Sequence, residues 1–207
     1  MDATRRRTRR TSRRASMAGV AGIFLEFVHA LSHHVIASRI DRRSLAHVGV
    51  KTNEVFGARV LASDARADER LARAFSALFD GVAEGDVRAV CILVRERGVV
   101  IEEFAFVLDI APAAAPTEEN KSAVKASLAT LATWFVFACD SLAPATTATR
   151  TFEVIARAKT DKCPNDWRAE EVERSDARVE DGAAAKSKRV RNDVFELEIV
   201  VTMKRRA

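Results

Sequence analysis

Three side chains near the start of the chain belong to residue types that bind metal ions. Glu26, His29 and His33 are separated by three and four residues, so a helix would place them on one face. Such a set could hold zinc or iron. The zinc-protease pattern, however, needs Glu directly after the first His, where this chain has Ala30, and a di-iron bundle needs two Glu-x-x-His copies. The spacing therefore favours a polar strip beside a core helix, with a metal-dependent enzyme as the remote alternative.

The other groups capable of catalysis lack partners in the sequence. Glu118 and Glu119 are acids at a predicted helix start, where the helix dipole favours them. The run Cys139–Ser141 closes a predicted helix without a histidine beside it. The sequence has no phosphate-binding glycine loop, no G-x-S-x-G elbow and no Cys-x-x-Cys pair. Cys91 and Cys139 lie in apolar runs and are expected to be buried thiols. We predict that the chain is not an enzyme and uses no cofactor.

The positive charge of the chain is concentrated at its beginning. Residues 1–16 contain seven arginines and one acid, a charge of +6 in a chain whose total is +5, so the remainder carries −1. Residues 1–17 are predicted to be a disordered arginine-rich tail. It could be a nuclear-targeting arm, an organellar transit peptide, or translated sequence upstream of Met17. A nearly neutral body argues against direct nucleic-acid binding. The apolar stretch Ala18–Leu31 is short for a bilayer, and no membrane partner is predicted.

The apolar periodicity predicts three helices. Residues 20–36 are apolar nearly all round, which is typical of a helix covered on several sides. Leu71, Phe75, Leu78 and Val82 define a second, amphipathic helix that should stop near Gly85. The third helix should carry one apolar stripe across residues 124–142. Residues 38–63, between the first two helices, are predicted to be irregular.

The strands are predicted from apolar runs and from alternation. Residues 87–94 and 99–108 flank a turn at 95–98 and form a hairpin, and residues 151–158 and 195–201 alternate as two further strands. Between the last two lies a polar stretch, residues 159–193, that is too long for an ordinary loop and is expected to have a function. The element order predicts an α+β domain: a mostly antiparallel sheet with three helices packed on one face.

The central hairpin resembles that of HORMA domains. The resemblance is carried by EGDVRAV at 84–90, CILVRERGVV at 91–100 and IEEFAF at 101–106. It is supported by FLE at 24–26, ACD at 138–140, TFEV at 151–154 and PNDW at 164–167, and covers roughly residues 20–203. Within the family the sequence is most similar to the accessory, non-catalytic subunit of translesion DNA polymerase zeta. It departs from the family pattern in having no Tyr, and in having Arg39–Arg42 where a Tyr-Pro pair is expected.

The resemblance implies a HORMA domain over residues 18–207 that binds a partner. Residues 159–203 would be a seatbelt and closing strand, wrapping over an extended peptide that adds to the sheet. We expect this segment to open at a cost of a few kcal/mol, because it is polar and buries little by composition. The residues expected to bind the peptide or form the seatbelt are Phe152, Val154, Pro164, Trp167, Phe195, Leu197 and Ile199.

The function that this resemblance implies is that of an adaptor. The expected partner is a peptide of the catalytic subunit of polymerase zeta, in DNA damage tolerance, with a second HORMA domain as a further, dimeric partner. The alternative is a spindle-checkpoint or meiotic chromosome-axis HORMA protein. Phe104 and Phe106 favour the polymerase branch, because the checkpoint branch usually has Trp at the first of these positions. The expected location is nuclear, with the cytoplasm as a second site, and the basic run 186–191 would suit nuclear import.

Overall fold

The chain folds into a layer of helices on an antiparallel sheet. The computed structural model describes residues 2–40, 52–110, 118–142, 149–158, 184–192 and 195–203. Three helices and seven strands lie within these ranges: α1 (Asp2–Arg39), β1 (Thr52–Val55), β2 (Ala58–Leu61), α2 (Ala65–Glu84), β3 (Val87–Glu96), β4 (Val99–Ile110), α3 (Glu118–Asp140), β5 (Arg150–Ala158), β6 (Ala184–Arg191) and β7 (Phe195–Met203).

The main sheet has five strands in the order β5-β3-β4-β7-β6, and all neighbours are antiparallel. The predicted hairpin of β3 and β4 is confirmed. Its turn is the pair Arg97-Gly98, with φ angles of 55° and 81°. A two-residue turn with two positive φ angles has a twist that matches the right-handed twist of the flanking strands. Gly98 adopts its positive φ angle without steric cost. The three strands β5, β3 and β4 therefore form a continuous antiparallel unit.

The helices cover one face of this sheet, as predicted. Asp64 caps the start of α2 by accepting a hydrogen bond from the backbone N–H of Ala67, and Gly85, in the left-handed conformation, ends it. The core between helices and sheet includes Phe104 and Phe106 of β4. Their rings lie 5.9 Å and 5.5 Å from that of Phe135 on α3. Both β4 phenylalanines are fully buried, so they hold the helices on the sheet and do not reach a partner.

Three regions differ from the prediction. Helix α1 begins at Asp2, so the arginine-rich segment predicted to be a disordered tail has helical backbone. Arginine and alanine are good helix formers, and extending an existing helix avoids the cost of nucleation. β1 and β2 form a small separate hairpin in a region predicted to be irregular. β6 lies inside the stretch predicted to be an unstructured excursion.

Two helical segments are long and apolar enough to cross a membrane by length and composition alone. They are Gly19–Arg39 of α1 and Ser122–Asp140 of α3. The expectation that the apolar stretch at Ala18–Leu31 is too short for a bilayer was wrong, because the apolar stretch of this helix continues beyond Leu31. In the fold both segments contribute to the core, and 67% of the apolar stretch in the first segment is buried.

Candidate functional site

Within the described residues, the outer edge of β5 has no neighbouring strand. Among the strands that the structure describes, β5 pairs only with β3, from Val87↔Ala158 to Glu96↔Arg150. An edge strand presents main-chain N–H and C=O groups on its outer side, and these can pair with an extended peptide. The predicted strand at residues 151–158 is thus confirmed, and it lies at an edge.

A groove of about 460 Å³ lies beside this edge, between β5 and α2. Phe152 and Val154, both expected to belong to the site, contribute to its wall. The residues that line it are Arg70, Ala74, Arg95, Thr151, Phe152, Glu153 and Val154. The groove has a mixed lining of apolar and charged residues, and its size suits one or two side chains of an extended peptide.

Arg70 joins α2 to the edge strand. Its guanidinium carbon lies 4.5 Å from the centre of the Phe152 ring, and one guanidinium nitrogen donates to the Phe152 carbonyl at 3.5 Å. A cation over an aromatic face is held by the ring quadrupole, so both contacts fix the guanidinium over β5. Arg70 therefore places a positive charge and several hydrogen-bond donors beside the outer edge of β5.

The charged side chains on the other face of the sheet form cross-strand pairs. Arg95 of β3 contacts Glu153 of β5 at 2.9 Å, and Arg157 of β5 contacts Glu103 of β4 at 2.6 Å. These pairs surround a small apolar cluster that includes Cys91 and Ile155. They tie β5 to its neighbours on the face away from the helices.

A buried ion network holds the first residue of β5. Glu102 of β4 accepts hydrogen bonds from Arg39, the last residue of α1, and from Arg150 at 3.3 Å. Arg150 also contacts Glu96 at 3.2 Å and donates to the Arg39 carbonyl. Glu102 and Arg39 are 3% and 2% exposed, so these charges interact in a medium of low polarity where losing a partner is costly. The network fixes the start of β5 relative to α1, β3 and β4.

The structure separates the predicted site residues into two groups. Phe152 and Val154 lie at the open edge, whereas Phe195, Leu197 and Ile199 lie on β7, which is an interior strand. Their side chains point toward the helices and are at most 3% exposed. They belong to the core, three strands away from β5. Pro164 and Trp167 lie outside the described residues.

The opposite edge of the sheet is basic and exposed. β6 carries Lys186, Lys188, Arg189 and Arg191, and Arg189 pairs with Glu196 at 3.0 Å and Glu198 at 2.9 Å on β7. Lysine and arginine on an edge strand discourage further strands from joining it. Within the described sheet, the two edges therefore differ: β6 is basic along its length, and β5 is flanked by a groove with a mixed lining.

The histidines predicted to share a face with Glu26 have another acidic neighbour. Glu26 is exposed, whereas His29 and His33 of α1 face Asp68 in the first turn of α2. Burial lowers the pKa of both histidines, and the charge of Asp68 opposes this change. Sequence reasoning missed Asp68 and Arg70, because only the packing of α2 against α1 and β5 brings them near these partners.

Burial makes the two described thiols unreactive. Cys91 and Cys139 are buried and free, as predicted, and Cys163 lies outside the described residues. Burial raises the pKa of Cys91 to about 12 and raises that of Cys139 still further. A thiol that keeps its proton at neutral pH is a poor nucleophile. The run Cys139–Ser141 therefore does not supply a reactive cysteine.

Solved structures of other proteins share this arrangement of helices and strands. A crystal structure of the mitotic checkpoint complex contains a chain that matches with a TM-score of 0.70 and 16% identity, covering 91% of this chain and 97% of that one. The fold is HORMA-like. C. elegans HTP-2 bound to the HIM-3 closure motif matches with a TM-score of 0.64 and 14% identity, covering 89% and 90% of the two chains. C. elegans HTP-1 bound to the HIM-3 closure motif matches with a TM-score of 0.60 and 12% identity, covering 89% of each chain. No protein-family model and no curated protein matches the sequence.

Proposed function

We propose that this chain is a non-catalytic HORMA adaptor that adds an extended segment of a partner protein to the outer edge of β5. The observation that carries this proposal is the open edge of β5 beside the groove under Arg70. Main-chain hydrogen bonds of an added strand supply affinity, and the groove selects a side chain. Arg70 is exposed and already donates a hydrogen bond to a backbone carbonyl. We therefore expect the partner segment to carry a hydrogen-bond acceptor next to an apolar side chain.

The course of the chain supports a seatbelt role for residues 159–203, of which 159–183 connect β5 to β6. β5 and β6 run in the same direction but lie on opposite edges of the sheet. Through the strand pairings, Ala184 is level with Phe152, six residues back along β5 from Ala158. Four strand spacings and six residues of rise separate the two ends by roughly 28 Å. The 25 intervening residues could extend for about 80 Å. They are long enough to pass around a peptide bound at β5.

The similar structures support the same use of the fold. HTP-1 and HTP-2 were solved bound to closure motifs of other proteins, and both match this chain over most of its length. We propose that a closure-type motif, a short linear segment of a partner, occupies the β5 edge here. A second HORMA domain as a dimer partner stays a prediction from the resemblance.

We propose a translesion polymerase assembly as the context, with the catalytic subunit of polymerase zeta supplying the peptide. The sequence resemblance in the central hairpin, with Phe104 and Phe106, favours it. A checkpoint or chromosome-axis role is the second candidate and is equally supported, since the similar structures include the mitotic checkpoint complex. Both roles place the protein in the nucleus, with the cytoplasm as a second location, and the exposed basic strand β6 is compatible with import.

Synthetic peptides would separate the two contexts. Fluorescently labelled peptides that tile the polymerase catalytic subunit, and others that tile checkpoint and chromosome-axis proteins of the same organism, are titrated with the full chain by anisotropy. The tightest peptide is then resynthesised with single backbone N-methyl groups. Because alternate residues of an added strand donate to the sheet edge, affinity should fall at every second position. A peptide that binds specifically yet tolerates every N-methyl group would refute strand addition.

Variants of α2 locate the peptide. Arg70→Ala should weaken binding by about tenfold, as is common for arginine at a contact centre. The control is Arg73→Ala, since Arg73 is exposed on the same helix and pairs with Glu69 instead of lining the groove. Equal affinities for both variants would move the site away from Arg70. Trp167→Ala should also weaken capture in a folded domain, and unchanged affinity would remove Trp167 from the site.

A further inference from the structure

The structure assigns a divalent-metal site, suited to zinc, to His29 and His33 of α1 and Asp68 of α2. One ligand atom from each residue can be chosen so that all three lie within 4.8 Å of one another. The site lies between two helices and does not involve the β5 edge. It therefore stands independently of the proposed function.

The two distances between histidine and carboxylate ligand atoms suit a tetrahedral ion. The Nε2 atoms of His29 and His33 lie 3.5 Å and 3.3 Å from Oδ1 of Asp68. With zinc–ligand bonds of about 2.0–2.2 Å, tetrahedral ligand atoms are separated by about 3.3–3.5 Å. Both histidine–carboxylate separations already match. Asp68 is 57% exposed in its side chain, so an ion can enter from solvent and keep water as a fourth ligand.

His29 has an unsatisfied nitrogen directed at the site. Its Nε2 atom is buried and makes no hydrogen bond, although the Asp68 carboxylate lies near. Buried polar atoms in folded proteins nearly always have a partner, and those that lack one call for an explanation. A metal ion bound between this nitrogen and Asp68 would supply the missing interaction.

Ser63 prepares His33 to act as a ligand. Nδ1 of His33 lies 2.7 Å from the Ser63 hydroxyl. With Nδ1–H donating to that hydroxyl, the Nε2 lone pair points toward Asp68, as in metal-binding histidines whose second nitrogen is held by an outer partner. Burial lowers the pKa of both histidines, which favours the neutral imidazoles that bind metals.

The ligand types select the metal. Two imidazole nitrogens suit zinc and other late transition metals, whereas magnesium and calcium prefer oxygen ligands. Asp68 lies in the first turn of α2, and both histidines lie on α1. A bound ion would therefore tie the start of α2 to the C-terminal third of α1.

The test uses the full chain after EDTA treatment and buffer exchange, titrated calorimetrically with zinc chloride. We expect one zinc ion per chain and a higher thermal midpoint in zinc. Cobalt chloride should give the intense visible absorption of a tetrahedral site. Asp68→Asn, which changes an exposed residue and should fold, is expected to weaken zinc binding at least about tenfold. Glu26→Gln is the matched control and should bind as the unaltered chain does.

Three results would overturn the assignment. The first is no zinc binding at zinc concentrations up to about a hundred micromolar, which is well above the dissociation constants of structural zinc sites. The second is zinc binding that Asp68→Asn and His33→Ala both leave unchanged, which would place the ion elsewhere. The third is a loss of affinity in Glu26→Gln with none in Asp68→Asn.

Discussion

Replacing Glu102 by Gln keeps the side-chain shape but removes a buried charge shared by Arg39 and Arg150. Removing one partner of a buried ion pair commonly costs about 3–5 kcal/mol. Arg150 keeps its contact with Glu96 at 3.2 Å, so we expect the lower end of that range. The free energy of unfolding should therefore fall by about 3 kcal/mol, a large part of the roughly 5–15 kcal/mol that stabilises a domain.

Urea denaturation followed by far-UV circular dichroism measures this loss, since three helices report on folding. The matched control is Glu103→Gln, the next residue of β4. Glu103 faces the other side of the sheet and pairs with Arg157, with both side chains more than 20% exposed, so its loss should cost about 1 kcal/mol or less. Equal losses for the two variants would show that the burial of the Glu102 network does not determine its strength.

Three further predictions concern the core and its protonation. Phe106→Asp should leave the chain unfolded, because a fully buried ring is replaced by a charge without a partner; a soluble variant with a cooperative melt would contradict the position of β4. Gly81→Ala should lower the melting temperature, since its Cβ would lie 2.9 Å from a methyl carbon of Val87, whereas Gly19→Ala, with nothing within 4 Å, should be neutral or stabilising. Burial lowers the pKa of His34 below 6.5, so the unfolded chain takes up its proton first and stability should fall as the pH drops through about 6.5; a urea midpoint that stays constant or rises between neutral pH and pH of about 5.5 would contradict this.

The sequence predicted those elements whose pattern is local. The alternation in Thr151–Ala158 and the stripe on α3 each follow from one face being buried, and the structure confirms both. β6 was missed because AAKSKRVR has no apolar alternation. Its strand conformation comes from pairing with β7 and from the contacts of Arg189 with two glutamates.

Periodicity also indicates which face of a strand is buried, but not which strand lies beside it. The apolar side chains of β7 alternate as predicted at Phe195, Leu197 and Ile199. This alternation does not show whether the strand lies inside the sheet or belongs to a seatbelt that covers a peptide. Likewise, His29 and Glu26 share a helical spacing, whereas the contact with Asp68 depends on how α2 packs. The sequence therefore predicted the site residues that lie on one strand, Phe152 and Val154. It missed Arg70, which reaches the site only because α2 packs beside β5.

If residues 159–203 act as the proposed seatbelt, the interior position of β7 would set the lifetime of the complex with a partner. Releasing β7 from β4 would expose four side chains that are at most 3% exposed, Phe195, Leu197, Ile199 and Val201. Their burial contributes about 6–12 kcal/mol, more than the few kcal/mol expected from the polar composition of the segment. This cost approaches the stability of a whole domain. Exchange of a captured partner would then be as rare as unfolding itself, and the complex would behave as a long-lived assembly once formed.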